Sequence, residues 1–127
     1  MKKEIIIMAL IILFVIILNS VTQSYTKSSV NSMVNKLEIV KENLNSENKE
    51  IIGEKINRTK DTWNERKQIL SYYLEHNELE KIEVEIEAIN ADNISEDYDA
   101  LSENLERCIF LLEHIRDKET VKLGNIF

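Results

Sequence analysis

The chain has 127 residues, room for one domain once its hydrophobic N-terminal stretch is set aside. It has no proline and two glycines, Gly53 and Gly124, which disfavours turn-rich sheet folds and points to long helices joined by short polar breaks. The formal charge of −7 argues against nucleic acid and anionic lipid surfaces as partners, and the single cysteine, Cys108, excludes an internal disulfide framework.

The first element follows Met1-Lys2-Lys3-Glu4. Ile5 to Leu18 is an unbroken run of 14 apolar residues, about 21 Å of helix and short of the roughly 30 Å hydrocarbon core. The run is extended by Asn19 to Thr26, which carries no charge; Lys27 is the first charged residue after Glu4. A helix over residues 5–25 therefore crosses a bilayer, with Tyr25 near the outer interface. Lys2 and Lys3 place the N-terminus inside and the rest of the chain outside. A cleaved signal peptide is the competing reading, since an apolar run of this length also suits a leader. Its weakness is the absence of Ala-x-Ala after Leu18: Ser20-x-Thr22 and Thr22-x-Ser24 are poor substitutes. A buried core helix is the third reading, and an all-round apolar helix at the edge of a small domain is hard to cover.

Beyond the anchor, apolar residues recur at steps of three and four. Val30, Met33, Leu37, Val40 and Leu44 form one stripe. Asn43 to Asn48 interrupts it, with Ser46 as a candidate cap for the next helix. That helix is expected from about residue 47 to residue 73 or 75, carrying Ile52, Ile56, Thr59, Trp63, Leu70 and Tyr73, with Arg66 at the missing step. His76-Asn77 reads as either a kink or a short loop. A third helix is expected over about 78–90, with Leu79, Ile82, Ile86 and Ile89. Ala91-Asp92-Asn93 then reads as a turn, and Asn93-x-x-Glu96 resembles a capping box. The last helix carries Tyr98, Leu101, Leu105, Cys108, Leu112 and Ile115. Residues 118–127 read as a separate apolar-ended tail.

The order and spacing of several features carry a family likeness: Trp63 in the second helix, His76-Asn77-Glu78 ahead of the Ile82-x-x-x-Ile86 stripe, and Leu111-Leu112-Glu113-His114-Ile115 before a terminal Gly124-Asn125-Ile126-Phe127. With these features, the chain resembles the family known as domain of unknown function 4363, short single-anchor helical proteins of endospore-forming bacteria. The resemblance implies an anchored helical architecture and no established activity. It also implies genomic company with multi-pass membrane proteins, and hence a membrane protein partner.

No catalytic set is legible. Cys108 lies on an apolar stripe six residues before His114, and that offset puts the two on different faces of a helix; a packed thiol is the expected state. Metal held by His76 and His114 with Glu75, Glu78 or Glu113 would require the fold to gather them, and the tight Cys/His spacing of structural zinc and the Asp-rich loop of an EF-hand are both missing. Both histidines read more simply as helix-end residues. Glycine-rich phosphate loops are also missing.

The sequence thus predicts an all-α protein: a transmembrane helix followed by a small antiparallel bundle of three to four helices. Its segments are a cytoplasmic start at 1–4, an anchor at 5–25, a bundle at 26–117 and a tail at 118–127. The expected role is non-catalytic binding of a protein partner, without cofactor, metal or nucleic acid; self-assembly as a structural helical protein, or secretion as a binding module, are the alternatives. Tyr72, set beside Tyr73 and so turned away from the stripe, and the apolar end Ile126-Phe127 are the candidate contact residues. Trp63, Leu70, Ile82, Ile86, Leu105, Cys108 and Leu112 are the expected core.

Overall fold

The computed structural model describes residues 1–46 and 48–126, the side chains of 121–126 excepted. Four helices follow one another: α1 (Lys2–Glu42), α2 (Lys49–Leu70), α3 (His76–Ile94) and α4 (Tyr98–Ile126). Each packs against its neighbours in sequence and α4 closes the ring on α1, while the diagonal pairs stay apart. Ion pairs fix the antiparallel sense: Lys41 with Glu106 across α1 and α4, Lys60 with Glu87 across α2 and α3, and Lys118 with Glu78 across α4 and α3. This is an up-down-up-down bundle.

Its interior is built from the four stripes. Val30, Met33, Leu37 and Val40 of α1 meet Ile52, Ile56, Trp63 and Leu70 of α2, Leu79, Ile82, Ile86 and Ile89 of α3, and Leu101, Leu105, Cys108, Ile109, Leu112 and Ile115 of α4, all buried. Each buried aliphatic or aromatic side chain contributes about 1.5–3 kcal/mol relative to exposure. Surface pairs such as Arg58–Glu54 and Arg107–Glu103 add little, about 0–1 kcal/mol each. Burial therefore sets the stability, and the charges set solubility.

The breaks between helices differ from the sequence expectations in ways local chemistry explains. Asn48, and not Ser46, caps α2: its side chain accepts from the Glu50 N–H at 3.1 Å, while Ser46 Oγ accepts from the Asn48 N–H one step outside. α2 ends at Leu70 rather than at 73 or 75, and the link to α3 is residues 71–75. His76 and Asn77 are then the first residues of α3, neither a kink nor a loop. The expected turn at Ala91-Asp92-Asn93 is helical, because α3 continues for another turn to Ile94.

That helix closes in a Schellman arrangement. The Asp97 N–H donates to the Asp92 carbonyl at 2.9 Å and the Glu96 N–H to that of Asn93 at 3.2 Å, with Glu96 left-handed at φ 58°. Asp97 then caps α4, its carboxylate accepting from the Ala100 N–H at 3.1 Å. Asn93 is therefore not the cap. Residues 118–126 are no separate tail either, since α4 runs on to Ile126.

Two substitutions test this account by thermal unfolding of the full chain in detergent. Leu105→Ala removes a fully buried side chain and should cost about 2–5 kcal/mol. Glu96→Gly relieves a left-handed backbone that a side chain disfavours and should stabilise by about 0.5–1 kcal/mol.

Candidate membrane anchor and contact surface

α1 is a single helix with two different lives. From Ile5 to Leu18 each large apolar side chain is between 41% and 64% exposed, so among the described residues nothing buries any face of this half. From Thr26 onward the same helix buries Thr26, Ser29, Val30, Met33, Leu37 and Val40. The reading of residues 5–18 as a buried core helix is thereby overturned, because the bundle is already closed by four stripes without them. By length and composition α1 is the one helix among the described residues able to cross a membrane.

The changeover is pinned by a small polar cluster. The Thr26 hydroxyl donates to the Thr22 carbonyl at 2.9 Å, the Tyr73 hydroxyl reaches the same carbonyl at 3.1 Å, and the two hydroxyls lie 2.7 Å apart. The two hydroxyl protons make two of these three contacts at a time, so the cluster needs no charged partner. Burial holds the Tyr73 phenol above its ordinary pKa. Beside it, the Arg66 guanidinium lies 5.4 Å from the centre of the Tyr25 ring, a cation–π contact that explains a basic residue at the missing step of the α2 stripe. The link between α2 and α3 is thus at the anchor's end of the bundle, and α4 returns to the same end: Thr120 and Arg116 share a cleft with Ser20, Gln23, Ser24 and Lys27, and Arg116 donates to the Asn31 side chain at 2.9 Å.

The expected contact residues can now be located. Tyr72 is 87% exposed in the α2–α3 link, at the anchor's end. Ile126 closes α4 at that end, but its side chain, and Phe127 altogether, lie outside the described residues. Trp63, Leu70, Ile82, Ile86, Leu105, Cys108 and Leu112 are all buried. His114, expected near a helix end, stands in mid-helix because α4 extends past it; it is exposed and stacks on Phe110 with ring centres 6.4 Å apart. His76 opens α3, the end of a helix where the dipole does not favour a cation. Among the described residues no group of three or more His, Cys, Asp or Glu is placed to hold a metal.

Four exposed apolar residues of the bundle escaped the sequence reading: Ile69, Val84, Ile94 and Phe110. Val84 on α3 and Phe110 on α4 are 65% and 67% exposed. Val84 shares an outer cleft with half-buried Leu111 and with Asn77, Glu80, Lys81 and Glu85. The signal was available: Val84 sits midway between Ile82 and Ile86, and Phe110 midway between Cys108 and Leu112, each out of phase with its stripe. Glu85, at the floor of this side, has one carboxylate oxygen buried without a hydrogen-bond partner and the other 3.7 Å from Arg107.

The family described as Domain of unknown function (DUF4363) matches residues 20–126. The chain belongs to that family. The match covers the bundle and begins two residues after the apolar run ends at Leu18. No curated protein and no solved structure shows significant similarity to the chain.

The Cys108 thiol is a direct probe of the packed core. Burial, and secondly the Glu85 carboxylate, push its thiol from the ordinary 9.0 up to about 12. The native thiol should resist alkylating reagents at pH 8 and react fully once urea unfolds the chain, as read by mass spectrometry. Because the folded value lies above the unfolded one, the native state keeps its proton while the unfolded thiol ionises. Stability should therefore fall as pH rises from about 9 towards 12, at up to about 1.4 kcal/mol per pH unit from this group. Cys108→Ala should remove that component of the slope.

Proposed function

We propose that this member of the DUF4363 family is a non-catalytic, membrane-tethered accessory protein whose bundle stands outside the cytoplasmic membrane and binds a protein partner. The observation that carries the reading is the division of α1 into an uncovered apolar half and a core half without a break between them. Lys2 and Lys3 favour the N-terminus inside. Retention of the anchor is supported by the polar cluster, since cleavage near Thr22 would remove the carbonyl that accepts from both Thr26 and Tyr73.

Binding is favoured over catalysis by the chemistry within reach: a buried, protonated thiol, an exposed histidine against a phenylalanine, and carboxylates engaged in surface pairs. The partner face we assign is the outer side of α3 and α4, with Val84, Leu111 and Phe110; aromatic residues are typical anchors of protein contacts. A multi-pass membrane protein is the partner class that the family's genomic company implies. Self-assembly is the weaker reading, because the stripes that would pair between chains are already paired within one chain.

The test joins two measurements on the full chain in its native host. Membrane fractions washed with alkali should retain a protein of full-length mass that external protease digests; an exported, shortened product would sink the tether. A photo-crosslinkable phenylalanine analogue at position 110 should capture a discrete membrane protein. Capture of the chain itself would favour self-assembly, and Phe110→Glu with undiminished capture from a neighbouring site would remove this face from consideration.

A further inference from the structure

The geometry points to a second membrane contact besides the anchor: the α2–α3 link, through Tyr72, rests in the headgroup layer of the bilayer that α1 crosses. The inference rests on the reading of α1 as a tether and fixes the distance between bundle and membrane.

Levels along α1 set the argument. A helix of about 20 residues spans the hydrocarbon core, so one that enters at Ile5 leaves it near Ser24. Thr22 therefore lies at the outer boundary. Its carbonyl accepts from the Tyr73 hydroxyl at 3.1 Å, which puts the α2–α3 link within one side chain of that boundary. The same tyrosine also meets Thr26 at 2.7 Å. The bundle does not stand off on a stalk. It sits directly on the exit point of its own anchor.

The composition of the link suits that level. Residues 71–75 are Ser, Tyr, Tyr, Leu and Glu. Tyr72 is the most exposed aromatic residue among those described, and its N–H is tied to the Ile69 carbonyl at 3.1 Å, so Ile69, also exposed, lies on the same side. Tyrosine is enriched at membrane–water interfaces, where the ring lies among headgroups and the hydroxyl stays wet. The one carboxylate of the link, Glu75, is paired with Lys118, which lowers the cost of bringing it near the interface. Together with Tyr25 on α1 and half-buried Tyr73, three tyrosines gather at one end of the bundle. The opposite end, around Glu96, Asp97 and Asp99, is acidic, and its one tyrosine, Tyr98, is half-buried with the Lys49 ammonium 4.2 Å from its ring centre. The contact is aromatic and not electrostatic, which agrees with a chain of net charge −7. It therefore calls for neutral lipid and tolerates salt.

Spin labels test this on the full chain, carrying Cys108→Ala and one new cysteine, reconstituted in phosphatidylcholine vesicles. Labels at Phe14, Tyr72 and Glu96 are compared for collision with oxygen, which concentrates in lipid, and with a water-soluble nickel chelate. Phe14→Cys should report the bilayer interior. Tyr72→Cys should give an oxygen-to-nickel ratio several-fold above that of Glu96→Cys and below that of Phe14→Cys, unchanged by raised salt. A Tyr72 label as wet as the Glu96 label, with Phe14 deep in lipid, overturns the proposal and leaves the tether standing. A Tyr72 label shielded from both relaxants and immobilised also overturns it, in favour of a protein contact. If the Phe14 label itself is wet, the tether reading fails first.

Discussion

The rest of the structure depends on the continuity of α1 through residues 19–26. A break there would leave an anchor and a bundle joined by a free hinge; an unbroken helix makes them one rigid body about 60 Å long. Continuity is not costly, since the segment has no proline or glycine, but its polar side chains need partners. Thr22 bonds back to the Asn19 carbonyl at 3.0 Å and Thr26 to that of Thr22, so the helix supplies its own acceptors. Tyr73 then ties the second helix pair to the same point.

Rigidity of this kind fits a protein that presents a surface at a fixed height. The four stripes are fully spent on one another, leaving few apolar side chains outside. Apart from Ile94 at the far end, those few fall into three groups: the apolar half of α1, the tyrosine end beside it, and the outer side of α3 and α4. The last of these shares its cleft with the charged side chains Glu80, Lys81 and Glu85. Cys108 and Glu85 approach each other, yet burial keeps the thiol protonated and places it in the core rather than at a surface.

Much of the fold was legible because burial in a helical bundle imposes a three-and-four rhythm that the sequence shows openly. Trp63, Leu105 and Leu112 stand on such rhythms and are interior. Boundaries were harder to read, above all where short polar residues cluster. Ser46 and Asn48 both qualify as caps, and so do Asn93 and Asp97; selection between them is made by which backbone N–H groups face each side chain. His114 illustrates the same limit, since its placement near a helix end presumed that residues after 117 could not continue the helix. The exposed apolar residues were legible only in part: Tyr72 announces itself by following the stripe out of phase, and Val84 and Phe110 carry the same signal, obscured by the strongly apolar residues around them.

What the sequence by itself determined is the helical class, the charge-free N-terminal run and the identity of the core, because each follows from local composition or from a periodicity that one helix face must obey. What only the tertiary structure decided is which ends meet. An antiparallel ring returns the end of α2 and the later part of α4 to the point where the apolar half of α1 gives way to its core half, bringing Tyr73 to Thr22 and Arg116 to Asn31 across dozens of residues. Such encounters depend on the lengths of four helices and the tightness of three links, quantities that no single stripe contains.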